Sequence, residues 1–323
     1  MDEEQKKKCV PAEVVVLLIL LMIEGVLAGV SLVFQTRTPK GYQEYTVQKK
    51  QYYVEYSEQY DYWDVLTVEY PVLSGIEDEQ AEAVNELLYH TAMEKADYWH
   101  FFPNEAVKEL QKEYQIFCSD VHCEVPYHSQ YLLSVSFEEL YAPVSPVYYI
   151  HKTQRAANIS LITGKPYLLT EVFQMNDDFM KLWCGRVEEE GAYGSLIVND
   201  ADTRETVLSW FLGEDTEAEK EFVFEPFFYM DENKDFVIGF SYDPKSIYRV
   251  ANPEFRDTSF STFFTGEELM QYRTDSDFWS WYDASEAAGE VLECKDLQQN
   301  LWLGKEASVW EFMKERRKAS GGT

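Results

Sequence analysis

Positive charge is what this sequence most lacks. Its 323 residues hold 28 Lys and Arg against 58 Asp and Glu, a net charge of −30. Nucleic acid and anionic lipid surfaces require clustered basic side chains, so both are disfavoured as partners. The shortage is uneven: residues 1–50 carry seven basic and six acidic side chains, leaving 21 against 52 for residues 51–323. Glycine and proline are also few, 15 and 11, and with 46% hydrophobic residues this excludes a disordered, collagenous or linker-dominated chain. No G-x-S-x-G, H-E-x-x-H, G-x-x-x-x-G-K-[ST] or G-x-G-x-x-G string occurs, so no common nucleophile, zinc or nucleotide signature points to a reaction. The five histidines, His90, His100, His122, His128 and His151, form no local pair at metal spacing. Acidic pairs such as Glu138-Glu139 and Asp177-Asp178 read first as solvated faces in so acidic a chain. No catalytic residue, metal site or cofactor is expected.

One long apolar run is present. From Val14 to Phe34 the only ionisable residue is Glu24, and the length is close to the roughly 20 residues that cross a bilayer's hydrocarbon core. Lys6, Lys7 and Lys8 precede it, which favours a cytoplasmic N-terminus and export of everything after Phe34. The rival is a signal peptide cleaved after Val26-Leu27-Ala28, releasing a secreted structural protein that begins at Gly29. Apolar residues resume at Val30, Leu32, Val33 and Phe34, which favours the retained anchor.

Cysteines number five, and with Cys9 on the cytoplasmic side four are left to pair in the exported part. Cys118 and Cys123 lie between two strand-like runs, Tyr114–Phe117 and Glu124–Tyr127, so a disulfide across a hairpin end is expected. Cys184 and Cys294 then remain as a second pair. A metal reading of Cys118, His122 and Cys123 lacks a fourth ligand and a second Cys/His pair.

Aromatic residues make up 16% of the chain, and many fall in two strips. Tyr52, Tyr56, Tyr60 and Trp63 lie in a Tyr-rich stretch whose alternation with Val54 predicts a strand. Trp279 and Trp281 belong to a second cluster, Phe278–Tyr282. Both strips are candidate ligand contacts, by stacking on sugar rings, although aromatics are also simply favoured in strands. Further strands are predicted at Val65–Tyr70, Tyr131–Leu140, Val147–Leu161, Glu221–Tyr229 and Phe236–Tyr242. Helices are predicted at Asp78–Trp99, from Asn104 to Lys112, from Thr170 through Trp183, and at Asp202–Phe211. Strands and helices come in blocks, which predicts an α+β fold: an antiparallel sheet with packed helices, preceded by one N-terminal transmembrane helix.

Four segments, in order, resemble a family of exported domains of poorly defined function. That family forms the extracellular part of lysozyme-sensing anti-sigma factors and accompanies the catalytic domain of some peptidoglycan deacetylases. The segments are Tyr70–Gly75 with Asn85, Leu132–Phe137, Asn158–Phe173 with its Thr163-Gly164-Lys165-Pro166 turn, and Phe236–Pro244. The glycine- and histidine-rich loop usual between the family's central strands is here Ala142–Val147. The resemblance implies a cell-envelope domain that binds something, with lysozyme as one known kind of ligand. With thirteen residues before Val14 a sigma-holding domain is not expected, nor is a metal-binding catalytic domain after the matched region.

The expected organisation is a short cytoplasmic tail and anchor over residues 1–34 and a Tyr-rich juxtamembrane strand region over 35–63. An α+β exported domain over 64–263 and a helical extension over 264–323 complete it. The expected function is that of a single-pass, membrane-anchored extracytoplasmic binding or sensory domain of the bacterial envelope. Its partners would be the membrane through Val14–Phe34 and a lysozyme-like basic protein or cell-wall glycan, with no nucleic acid. A cell-wall hydrolase is the enzymatic alternative.

Overall fold

A computed structural model describes residues 41, 45–58, 62–96, 116–144, 151–191, 199–213, 222–244, 259–286 and 291–292. Val14–Phe34, the expected helix at Asn104–Lys112, Tyr60 and Cys294 lie outside them. Among the described residues no helix is long and apolar enough to cross a membrane.

A six-stranded sheet is built mainly from the first half of the chain. Strands β1 (Thr46–Glu58) and β2 (Tyr62–Ser74) pair antiparallel along their full length. Helix α1 (Asp78–Ala96) follows, and β3 (Ile116–His128) then lies parallel to β2. The expected all-antiparallel sheet is therefore mixed, because a helix between two strands returns the chain to its starting end and parallel pairing follows. Strands β4 (Leu132–Val144) and β5 (His151–Ser160) complete an antiparallel meander. At the far edge the two-residue β9 (Val291–Leu292) pairs parallel to the start of β1.

Alternation along the strands decides the first core. Val121, Cys123 and Val125 of β3, Val135 and Phe137 of β4, and Ile159 of β5 point to the face covered by Val84, Leu88 and Ala92 of α1. Asn85 fixes the helix to β2 by imitating a strand residue: its Oδ1 accepts from the Leu73 N–H at 2.7 Å and its Nδ2 donates to the Leu73 carbonyl at 2.9 Å. Under the same helix lies a buried ion pair. The Arg155 guanidinium, 7% exposed, donates through Nε to Glu139 Oε1 at 2.7 Å, through Nη1 to Glu94, and to the Thr91 carbonyl. Glu139 is fully buried.

A three-stranded antiparallel sheet forms the second half: β6 (Phe222–Met230), β7 (Phe236–Pro244) and β8 (Ser259–Phe264). Gly239 is required at its centre, since a Cβ there would lie 2.0 Å from the Phe260 carbonyl. The helix expected from Thr170 is two: a single turn, α2 (Leu169–Val172), and α3 (Asp177–Glu190), capped by the Asn176 side chain on Phe179 N–H. Helix α4 (Ala201–Leu212) packs beside α3. The start of the expected helical extension supplies α5 (Gly266–Leu269), a 3₁₀ turn (Met270–Tyr272) and α6 (Asp277–Ala284), whose Phe278 and Trp279 are buried in the second core. That core is aromatic: Phe173 meets Phe179, Phe228, Phe236 and Trp279 at ring-centroid distances of 5.3–6.3 Å. From α6 the chain runs back to the first sheet, where Gln130 brackets it by donating to the Ala284 carbonyl and accepting from the Glu286 N–H.

Breaking the buried ion pair separates charge from packing. Arg155→Met removes the guanidinium from the fully buried Glu139 carboxyl, and is expected to cost about 3–5 kcal/mol in urea unfolding. The double variant Arg155→Met/Glu139→Leu is expected to recover most of that loss.

Candidate functional site

Among the described residues the second face of the six-stranded sheet is covered only in part. Over β4 and β5 the second sheet sits on it, joined by a closed set of hydrogen bonds. Met230 N–H donates to Ser134 Oγ at 2.9 Å, Ser134 donates to Asn158 Oδ1 at 2.7 Å, and Asn158 Nδ2 donates to the Phe228 carbonyl at 2.5 Å. Ser241 exchanges bonds with the Gln154 backbone nearby. Asn158-Ile159-Ser160 matches the N-glycosylation sequence pattern, but Asn158 is only 3% exposed and both ends of its amide are bonded.

Beyond that junction the face is open and polar. Period-two alternation in β3 puts Asp120, His122 and Glu124 on it, between the buried Val121, Cys123 and Val125. The sheet register sets neighbours beside them: Gln51 opposite Glu69, His122 opposite Glu138, and Glu138 opposite Gln154. His122 is held at both ring nitrogens. Its Nδ1 lies 2.5 Å from Glu69 Oε2 and its Nε2 lies 2.7 Å from Glu124 Oε1, with the side chain still 46% exposed. Lys49 of β1 reaches over Pro71 to Glu124 Oε1 at 3.3 Å. A cleft of about 450 Å³ opens here, lined by His122, Glu124, Pro126, Ser136, Glu138, Gln154 and, from β6, Tyr229.

Electrostatics follow from that crowding. Burial pushes the Asp120 carboxyl up and the charge of Glu69 adds to this, with His122 opposing. Burial would also raise Glu124, but hydrogen bonds and charge from His122 and Lys49 outweigh it and hold the carboxyl below its ordinary value. Glu69, Asp120, Glu124 and Glu138 therefore place four carboxyl groups around one imidazole and one ammonium. Such a surface can take a cationic group. Among the described residues no group of three His, Cys, Asp or Glu side chains is arranged to hold a metal ion.

No known family model matches the sequence, and no curated protein matches it. Among the solved structures the chain is similar to are two DUF3298-family proteins. A DUF3298-family protein from Bacteroides fragilis has a TM-score of 0.47 and 11% identity, covering 76% of this chain and 100% of that one. A DUF3298-family protein from Pseudomonas aeruginosa has a TM-score of 0.40 and 8% identity, covering 73% of this chain and 96% of that one.

Of the aromatic residues singled out from the sequence, the described ones, Tyr52, Trp279 and Trp281, are not brought together. Tyr52 is 1% exposed and belongs to the first core, opposite Val68. Trp279 is 5% exposed and donates its indole N–H to the Val172 carbonyl at 2.8 Å. Trp281 is half-buried against Tyr131, with ring centroids 5.1 Å apart. Tyr56 and Trp63 lie in β1 and β2, and their side chains fall outside the described part. The expected Cys118–Cys123 disulfide is overturned. Both residues lie in one strand, opposite Ala142 and Phe137, and five steps of extended chain separate their Cα atoms by roughly 16 Å, well beyond a bridge's reach. Cys184 is a buried thiol in α3, and no disulfide occurs among the described residues; burial pushes its pKa up to about 11.

Trp279 thus acts as a core residue. Trp279→Ala is expected to destabilise the domain by about 3–5 kcal/mol, read as a lowered urea midpoint with an unchanged slope.

Proposed function

We propose that this chain is a membrane-anchored extracytoplasmic binding domain of the bacterial cell envelope, and that its ligand is a basic protein of the lysozyme kind. The observation that carries the reading is the open sheet face: Glu69, Asp120, Glu124 and Glu138 converge beside a 450 Å³ cleft. These acids sit in a chain with a net charge of −30, so a basic partner is drawn in from a distance and then meets fixed carboxylates. The alternative ligand, neutral glycan, needs exposed aromatic platforms, and Tyr52 and Trp279 are committed to the two cores. Val14–Phe34 supplies the anchor in this reading, with the binding domain outside the membrane.

Association rates of the full-length chain with lysozyme and with neutral peptidoglycan fragments, measured across a salt series, test the ligand. With screening lengths of about 10 Å at 0.1 M and 3 Å at 1 M, association with lysozyme is expected to slow at least tenfold over that range. Glu124→Gln/Glu138→Gln is expected to slow it further at low salt. Salt-independent binding to the glycan alone would sink the basic-partner reading. Fractionation tests the anchor: the intact chain is expected in the membrane fraction, and a soluble form beginning at Gly29 contradicts it.

A further inference from the structure

We propose that His122 is a proton-operated switch for the charge of the open sheet face, standing as a cation between Glu69 and Glu124 when protonated and withdrawing that charge when it loses the proton. The geometry carries the inference. A ring nitrogen that bonds a carboxylate must bear a hydrogen, and both nitrogens of His122 face carboxylate oxygens, at 2.5 and 2.7 Å. The arrangement therefore fits the imidazolium. Removing one proton turns a donor into a lone pair aimed at an anionic oxygen, so one of the two contacts must open.

Every strand packed around the ring contributes to the balance. Strand β1 brings Lys49, already engaged with Glu124, and β2 brings Glu69, which also accepts the Cys123 N–H. Strand β3 brings Asp120 and Glu124, and β4 brings Glu138 directly opposite. From β5 comes the uncharged Gln154, with Lys152 one row away behind Leu140, and from β6 the Tyr229 side chain lines the same cleft. Acids outnumber bases around His122. Its own burial would depress the imidazolium, but the hydrogen bond to Glu124 and the charges of Glu69 and Glu124 outweigh it, raising the pKa above its ordinary 6.5.

Two consequences have opposite signs. Because the folded pKa is raised, the contribution of His122 to stability is full below about 6.5 and is lost as pH rises through the folded midpoint. Over the same interval the face becomes one charge more negative, so a basic protein is attracted more strongly at the higher pH. This second consequence rests on the binding reading given above, whereas the switch itself does not.

The test uses the full-length chain with 13C-labelled histidine, the His122 signal being assigned by its absence in His122→Gln. The His122 midpoint is expected above 6.5 and is expected to fall in both Glu69→Gln and Glu124→Gln. A midpoint at or below 6.5 in the parent chain, or one that neither variant lowers, overturns the switch. Association with lysozyme is then measured from pH 6 to 9 as a ratio of parent to His122→Gln, which cancels lysozyme's own titration. That ratio is expected to rise about threefold, the effect of one unit charge some 6–7 Å away in a water-like dielectric. A flat ratio with measurable association overturns the switch's role in binding. A raised midpoint with no association at any pH supports the switch and overturns the lysozyme reading.

Discussion

Asn158 sits where the two sheets meet, and its amide faces two ways. It accepts from Ser134 on the neighbouring strand and donates to Phe228 of the other sheet, while Ser134 in turn accepts from the Met230 N–H. Every group in this ring is buried, so each bond replaces one that water supplied in the unfolded chain. An apolar residue at 158 would leave a strand carbonyl and a hydroxyl without partners in a place water does not reach. The ring also sets where the second sheet ends. It covers only part of β4 and β5 and stops, leaving Asp120, His122, Glu124 and Glu138 exposed. The candidate site is the uncovered remainder of a face whose other part is occupied by this junction.

The two cores are built from different materials, and each solves a different problem. Under α1 the packing is mainly aliphatic, with Tyr52, Tyr70, Phe137 and Tyr141 among it, and it holds one ion pair whose carboxylate, Glu139, is fully buried. Arg155 can neutralise it there because the guanidinium is planar and offers several donors. One edge serves Glu139, and the remaining N–H groups reach Glu94 and the Thr91 carbonyl on the helix. Between the second sheet and its helices the packing is aromatic, and polar tips such as the Trp183 and Trp279 indole N–H groups find backbone carbonyls. The high aromatic content of the sequence is largely absorbed here.

Most secondary structure was legible from the sequence: α1, β4 and β5, α4, and the β6/β7 hairpin fall close to their predicted spans. The antiparallel sheet was legible only in part, since β2 and β3 pair in parallel, a relation fixed by the path of the chain and absent from any local pattern. The segment Cys118–Cys123 shows why the site was missed. Two cysteines flanking polar residues suggest a turn, and that reading hid the alternation of Asp120, His122 and Glu124 with Val121, Cys123 and Val125 that marks one continuous strand. Reading the period first would have aligned the three polar side chains on one face. Glu69 would still have stayed out of reach, because its approach to His122 depends on register between strands that lie far apart in sequence, and Glu138 depends on the shifted register of the β3/β4 pair. The Phe278–Tyr282 cluster failed for a related reason. Residue type alone does not tell a stacking platform from a core helix that arrives late in the chain.

Acidity by itself is a weak sign of recognition, because net charge keeps a protein soluble wherever the charges sit. Solubility asks for number, and the surface of this chain meets that need many times over. Recognition asks for position, which has to be held against side-chain entropy and mutual repulsion. The open face meets the second demand through bonds made within it. Glu69 is fixed by His122 and the Cys123 N–H, and Glu124 by His122 and Lys49, while Glu138 stands opposite the ring by strand register. Carboxylates needed only for hydration gain nothing from being tethered at both nitrogens of an imidazole. A partner that brings its own cation gains, because the anionic positions are already set before it arrives.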